Sequence, residues 1–259
     1  MKILSGIREY TVEIGNDFHS LLGVIEYDNT FFVIDKKVYE LYKNQIFRCF
    51  PPEKVMLIEA DERNKSIDTV LKICEEMITI PAKRNPRLIS FGGGIIQDIT
   101  GFAANILYRG IHWTFIPTTL LAACDSCIGG KTSLNYKKYK NILGTYYPPE
   151  RIIIYPSFFK TLSDQDFKSG LGEIVKFNLM NEKVGIKCLE RDLEGLLRRD
   201  DDTLLKYVET SLQYKKTYIE KDEFDLGIRI CLNFAHTFGH ALEKVSDYEI
   251  PHGTAVAMG

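Results

Sequence analysis

Short apolar runs that alternate with helix-like stretches constrain this chain more tightly than any single motif. Phe31-Phe-Val-Ile-Asp35 is followed by a helical pattern from Lys36 to Arg48, then by Lys54-Val-Met-Leu-Ile-Glu59. A polar loop, Asp61 to Ser66, ends in a residue placed to cap a helix over roughly 67 to 79. Arg87-Leu-Ile-Ser-Phe-Gly92 then runs through Gly93 and Gly94 into a helix from Ile95 to Leu107, and His112 to Thr119 and Arg151 to Pro156 read as further strands. Strands separated by helices predict a parallel α/β sheet. Beyond Pro156 the pattern is wholly helical: Asp164 to Met180, Lys183 to Leu196, Thr203 to Glu220, and a last helix carrying Arg229 to His240. Arg198-Arg-Asp-Asp-Asp202 reads as a solvated connection. The expectation is an α/β domain over residues 1–160 and an all-α domain over 161–259.

In the last helix Arg229, Asn233, His236 and His240 stand at i, i+4, i+7 and i+11, a single polar stripe, while Ile228, Ile230, Leu232, Phe234 and Phe238 cover the rest. That is the pattern of a helix buried on nearly all sides, and its stripe is expected to line a site. Two histidines one turn apart can converge on one divalent ion. A lone buried histidine is more commonly a hydrogen-bonded core residue, but three of the chain's five, His236, His240 and His252, fall within seventeen residues. The stripe alone suggests zinc with a bound anionic small molecule. Glu173 and Lys176, at i, i+3, would ordinarily be a surface ion pair. Their neighbours Leu171, Ile174, Val175 and Phe177 argue for burial, and a buried carboxylate wants a cation such as that metal.

Two glycine turns invite a phosphate. After Gly92-Gly93-Gly94, backbone N–H groups and a helix N-terminus could meet a pyrophosphate, although the G-x-G-x-x-G pattern fails at Gln97, so a plain tight turn is an equal reading. Pro117-Thr118-Thr119 offers two hydroxyls at the carboxyl end of a strand. Gly129-Gly130-Lys131-Thr132 looks like a P-loop, but Asp125 stands where the first glycine is required, which argues against a nucleotide triphosphatase. Lys131 on its glycine turn remains a reasonable phosphate contact, with Lys140 and Asn141 as helpers.

Composition excludes several classes. With 259 residues, 45% apolar, 26% charged and net charge −2, nothing in bulk charge favours nucleic acid or a membrane surface. Charge comes too early at the N-terminus for a signal peptide, and no apolar run approaches the ~18 residues of a membrane span. The expectation is a cytoplasmic protein. Cys124-Asp-Ser-Cys127 lacks the second C-x-x-C of a zinc site, and a redox role for it is the weaker reading. Ala255 to Gly259 reads as the opening turns of an apolar helix, so the second domain is expected to be cut short.

Taken in order, Gly92-Gly-Gly-x-x-x-Asp98, Tyr108-Arg-Gly110, Pro117-Thr-Thr119, Asp125-Ser-x-x-Gly-Gly-Lys-Thr132, Lys140-Asn141, Gly172-Glu-x-x-Lys176, Arg229-x-x-x-Asn-x-x-His-Thr-Phe-Gly-His240 and His252-Gly253 resemble the 3-dehydroquinate synthase family of sugar-phosphate cyclases. The resemblance runs from about residue 30 to the end. It implies a Rossmann-like α/β domain that binds NAD, a helical domain that binds zinc, with cobalt as the alternative ion, and an active site in the cleft between them. Glu173, His236 and His252 would be the metal ligands. Asp125, Lys131, Asn141, Lys176, Arg229, Asn233 and His240 would surround the substrate. Arg109 would reach the phosphate of a second subunit's substrate, which implies a homodimer. Asp35, Glu62, Lys65, Gly93, Gly94, Asp98, Thr118, Thr119 and Lys140 would contact NAD.

The implied reaction turns 3-deoxy-D-arabino-heptulosonate 7-phosphate into 3-dehydroquinate, a step of the shikimate route to chorismate and aromatic amino acids. A ring hydroxyl is transiently oxidised by NAD, phosphate is eliminated, hydride returns, and the opened ring recloses as a carbocycle. Lys131, Asn141 and Arg229 would bind phosphate, Lys176 with Arg229 would offset anionic charge, and His240 would transfer protons. Sibling cyclases making 2-deoxy-scyllo-inosose or a valiolone, a metal-dependent polyol dehydrogenase, and a non-catalytic NAD- and metal-binding relative are the alternatives. The chain departs from the family pattern at Gln97 and Ala235, where glycine is usual, and at Thr254, where glutamate is.

Overall fold

Runs such as Phe31 to Ile34 and Phe115-Ile116 are buried along their whole length, as strands covered on both faces must be. In the computed structural model, which describes residues 1–23, 25–181, 185–247 and 249–259, these runs form a sheet of parallel strands. The chain divides into two compact units, Met1–Thr118 with Gly130–Tyr155, and Thr119–Gly129 with Pro156–Gly259. A cut by sequence at residue 160 leaves Thr119–Gly129 in the first unit; the structure packs it with the second.

The first unit contains β1 (Lys2–Ile3), β2 (Tyr10–Ile14), α1 (Phe18–Leu22), β3 (Thr30–Asp35), α2 (Lys36–Tyr42), β4 (Val55–Ile58), α3 (Ile67–Ile78), β5 (Arg87–Gly92), α4 (Gly94–Ile106), β6 (His112–Pro117), β7 (Lys131–Tyr136), β8 (Tyr139–Tyr146) and β9 (Arg151–Ile154). Seven strands lie in the order β1-β2-β9-β6-β5-β3-β4, all parallel except the β1–β2 pair, and β7–β8 is a separate antiparallel hairpin. Ser66 caps α3 by accepting from the Thr69 N–H at 3.3 Å. The helix expected over Lys36 to Arg48 stops at Tyr42, because Phe47 and Phe50 turn inward onto Phe91 and Phe32, with ring centroids 5.0 Å and 4.2 Å apart respectively. The first two strands and the hairpin carry too little periodicity to be read in advance.

In the second unit, Ala122–Ser126 forms a π-helical turn, closed by the Cys127 N–H donating to the Ala122 carbonyl at 3.0 Å. After it come α5 (Asp164–Met180), α6 (Gly185–Leu197), α7 (Asp201–Ile219), α8 (His236–Val245) and α9 (His252–Met258). Ser163 and Asp200 cap α5 and α7. Lys183, the expected start of α6, lies outside the described residues. No helix among the described residues is long and apolar enough to cross a membrane.

The single striped helix is corrected. Ile228–Asn233 is a 3-10 segment, the chain turns at Ala235 with φ 67°, and α8 begins only at His236. The Asp222 carboxylate accepts from the N–H groups of Leu226, Gly227 and Arg229 at 2.9, 2.7 and 3.0 Å, which winds a separate tight turn before the histidines. A left-handed residue cannot continue an α-helix. Arg229 and Asn233 therefore do not share a helical face with His236 and His240. Nor is the stretch buried all round: Ile230, Phe234 and Phe238 are 55%, 56% and 69% exposed.

Candidate active site

Glu173 lies fully buried on α5, directly after Gly172. A Cβ on Gly172 would collide with the Gly253 carbonyl, and one on Gly253 with the Ser169 carbonyl. The Gly253 N–H donates to Ser169 Oγ at 3.0 Å. Helices α5 and α9 thus meet main chain to main chain, which carries His252, the first residue of α9, to Glu173. Nε2 of His252 and Nε2 of His236 each lie 3.6 Å from Glu173 Oε1. The His240 ring is 5.3 Å from that of His236 and 5.6 Å from that of His252, and a nitrogen of each of the three lies within 4.8 Å of the others.

Lys176, 3% exposed, pairs with Glu173 Oε2, while Oε1 is buried with no hydrogen-bond donor. Burial first, and then the negative charge of Asp125, push the Glu173 carboxyl up, against the pull of Lys176. Burial, aided by the Lys176 charge, lowers the His236 imidazole to about 4, so it stands neutral with a lone pair to offer. An unpartnered buried carboxylate oxygen facing two imidazole nitrogens is a donor set for a divalent ion of borderline softness. Ligand atoms at about 2.0–2.1 Å from a tetrahedral zinc stand about 3.3 Å apart, close to the 3.6 Å separations here.

Asp125, in the π-helical turn, belongs to the same unit. Burial opposes its ionisation, but Lys215 and Lys176 overcome it and hold the carboxyl well below its usual range. Lys215 Nζ lies 2.9 Å from Asp125 Oδ1 and donates to the Asp125 carbonyl at 2.8 Å. Lys215 escaped the sequence reading. Its signal was a lysine on the buried stripe of α7, in line with Leu204, Val208, Ser211 and Ile219. The thiols of Cys124 and Cys127 are buried and donate to the carbonyls of Leu121 and Ala123, and burial pushes the Cys127 thiol up to about 12, which argues against a thiolate redox pair. Arg229 is 4% exposed, its guanidinium on the carbonyls of Gly129, at 3.2 Å, and Glu223. Gly129, at φ 104°, is the glycine that this approach requires. Asn233 is exposed and ends the 3-10 segment, outside the histidine helix.

In the first unit Glu62, Lys65, Asp98 and Asn141 come together. Lys65 Nζ lies 2.6 Å from Asp98 Oδ2 and donates to Asn141 Oδ1 at 2.6 Å; Ser133 Oγ lies 3.0 Å from each of those oxygens. Asn135 Nδ2 donates to Glu62 Oε2 at 2.7 Å, and the Asn141 N–H donates to Asn135 Oδ1 at 3.0 Å. Asn141, grouped with Lys131 for the phosphate, is thus tied to the residues grouped for NAD. Ser133 and Asn135 were missed; they alternate with Thr132 and Leu134 on β7, the period of one strand face. Burial raises the Asp98 carboxyl, opposed by Lys65.

Gly93 caps α4, and the Thr118 N–H donates to the Gly92 carbonyl at 2.9 Å while Thr118 Oγ1 is buried without a hydrogen-bond partner. Asp35 caps α2 by accepting from the Lys37 N–H at 2.9 Å, and Thr119 Oγ1 accepts from the Ala122 N–H at 3.2 Å. Lys131 and Lys140 are exposed on the hairpin, and Arg109 is exposed in a turn where Tyr108, Arg109 and Gly110 all have positive φ.

Residues 55–169 match the family described as 3-dehydroquinate synthase N-terminal, and residues 170–259 match 3-dehydroquinate synthase C-terminal. The 3-dehydroquinate synthase of Clostridium tetani is 42% identical over 264 residues, covering 99% of this chain and 71% of its own. That of Dictyoglomus turgidum is 40% identical over 258 residues, covering 97% and 72%. Among solved structures, a 2-deoxy-scyllo-inosose synthase complexed with carbaglucose-6-phosphate, NAD+ and Co2+ has a TM-score of 0.86 at 26% identity, over 99% of this chain and 72% of that one. A 2-epi-5-epi-valiolone synthase from Streptomyces hygroscopicus with NAD+ and Zn2+ bound has a TM-score of 0.83 at 28% identity, over 98% and 73%. The fold is that of the sugar-phosphate cyclases. Within that class the chain belongs to the 3-dehydroquinate synthase family, and its reaction is the conversion of 3-deoxy-D-arabino-heptulosonate 7-phosphate to 3-dehydroquinate with release of phosphate.

Proposed function

We propose that the chain performs this reaction with NAD as a recycled hydride carrier and with a divalent metal, zinc in the first instance, held by Glu173, His236 and His252. The observation that carries the metal reading is the buried Glu173 Oε1, without a donor and 3.6 Å from two imidazole nitrogens. Bound there, NAD would supply a reversible hydride acceptor and the metal would supply a Lewis acid that makes the reacting hydroxyl more acidic.

The remaining work falls to the chain's own side chains. Lys176 offsets the charge of Glu173 and of the anionic substrate. His240, beside the other two histidines, is assigned the proton transfer, since an imidazole carries both a donor and an acceptor nitrogen. Asp125 is kept ionised by Lys215 and orients substrate hydroxyls. Lys131 binds the phosphate that leaves. Arg229 spends two donors on carbonyls and keeps others for the substrate's anionic groups, with Asn233 nearby in sequence. Gly93 and Gly94 open α4 toward the NAD pyrophosphate, and Asp35, Glu62, Lys65, Asp98, Thr118, Thr119 and Lys140 are assigned to the rest of that cofactor, with Asn141 holding Lys65 in place. Arg109 is assigned to the substrate of a second copy, which makes the active form a homodimer serving the shikimate route.

The test is phosphate release from the heptulosonate phosphate with catalytic NAD and zinc. Release matched by dehydroquinate, with no net NADH, supports the reading; accumulation of NADH, or turnover confined to a hexose 6-phosphate, sinks it. Lys131→Ala should abolish phosphate release with NAD still bound, and His236→Ala should lose the zinc. The sibling cyclases are the second reading, favoured by the TM-scores of 0.83 to 0.86. Identities of 25–28% to them against 32–42% to the dehydroquinate synthases decide for the first.

A further inference from the structure

Both histidines that face Glu173 have their other ring nitrogen occupied. His236 Nδ1 lies 3.1 Å from the Phe234 carbonyl oxygen, and His252 Nδ1 lies 3.1 Å from Glu243 Oε2. A carbonyl and a carboxylate can only accept, so each Nδ1 carries a proton, and in the Nδ1–H tautomer Nε2, on the side that faces Glu173, is the nitrogen left with a lone pair. The two arrangements differ in origin. His236 is held by main chain two residues away. His252 is held by an acidic side chain from another helix. Glu243 stands on α8 three residues after His240 and seven after His236, on the face that carries both, and its side chain is only 14% exposed.

We propose that Glu243 is a positioning residue of the metal centre, which orients the His252 imidazole and selects its Nδ1–H tautomer so that Nε2 serves as the ligand atom. This rests on the reading of Glu173, His236 and His252 as metal ligands. The main-chain contact of Gly253 with Ser169 and Gly172 places the backbone of His252, but a backbone contact does not set the rotation of a ring about χ1 and χ2. Glu243 supplies that restraint. Without it the ring could turn, or present an N–H to the cation. A carboxylate partner also strengthens the imidazole as a donor, and loss of such a partner typically costs 10–100-fold in metal affinity.

The test uses the full chain, as wild type, Glu243→Ala and Glu243→Gln. Zinc affinity is measured by competition with a chromophoric chelator, the metal-free thermal midpoint by circular dichroism, and the His252 tautomer by 15N–1H correlation of its ring. The alanine variant should bind zinc about 10–100-fold more weakly with an unchanged metal-free midpoint and a mixed tautomer. The glutamine variant, whose amide oxygen still accepts from Nδ1–H, should recover most of that loss. Unchanged zinc affinity in the alanine variant overturns the proposal, as does weakened affinity with the tautomer intact. Should the alanine variant not fold, the wild-type spectrum decides: an Nε2–H tautomer at His252 overturns the proposal and Nδ1–H supports it. A wild type that takes up no zinc sinks the metal reading itself, whereas zinc-loaded wild type with indifferent variants sinks only the role of Glu243.

Discussion

The two units treat buried charge in opposite ways. In the first, Lys65, Asp98, Ser133 and Asn141 close on one another within 2.6 to 3.0 Å, and Asn135 joins them to Glu62. In the second, Glu173 has a cation on one oxygen and no donor on the other, and the two imidazoles facing that oxygen have their Nδ1 atoms turned to other acceptors. A closed polar network is self-supporting and stiff. An open one costs several kcal/mol until something positive arrives. The difference separates a framework that a ligand can lean on from a centre that an ion has to complete.

The largest test of that contrast is to supply the ion. Zinc at about a thousandfold over its dissociation constant should stabilise the helical unit by about 4 kcal/mol and leave the α/β unit where it was. Melts with zinc and with a chelator, followed by hydrogen exchange in each unit, measure it, and equal shifts in both units would erase the contrast. Next is Gly253→Ala. Its methyl would fall on the Ser169 carbonyl, a main-chain atom that cannot swing aside, so a loss of about 3 kcal/mol is expected, together with the zinc effect, by denaturant titration.

On the closed side, Asp98→Asn should cost about 2 kcal/mol, because Lys65 keeps Asn141 but loses its carboxylate. The same variant has a pH signature. The Asp98 carboxyl is raised above 3.8 by burial, so the folded state holds its proton more tightly than the unfolded state does. Its contribution to stability is complete below pH 3.8 and is lost as pH rises through the raised value; the asparagine variant should lack that slope in denaturant midpoints taken across acid pH. The smallest effect is Ala235→Gly. Ala235 sits at φ 67°, where a Cβ is unfavourable, and glycine should stabilise by about 0.5–1 kcal/mol, read as a small rise in thermal midpoint with zinc binding intact.

Much of this was legible in the chain itself. The strand–helix alternation gave the parallel sheet, and α5 runs from Asp164 to Met180 as its pattern predicts, because a capped, periodic segment carries its own bounds. The convergence of Glu173 with His236 and His252 was likewise anticipated from a buried acid and clustered histidines. What failed was the straight helix through Arg229 and His240. Periodicity cannot register one residue in the left-handed region, although an alanine where the family has glycine was the hint. The roles of Lys215, Glu243, Ser133 and Asn135 were missed for another reason: each owes its place to a partner far off in sequence, 90 residues for Lys215 with Asp125, 35 for Ser133 with Asp98 and 73 for Asn135 with Glu62, or on another helix for Glu243.

The bare contact between Gly172 and Gly253 has one more consequence. No side chain stands between α5 and α9 there, so the span from Glu173 to His252 is gauged by peptide against peptide. Rotamer hopping, which loosens most pockets, has nothing to act on at that point. The two residues that flank the glycines keep their separation as the jaws of a caliper do, by the thickness of the main chain alone.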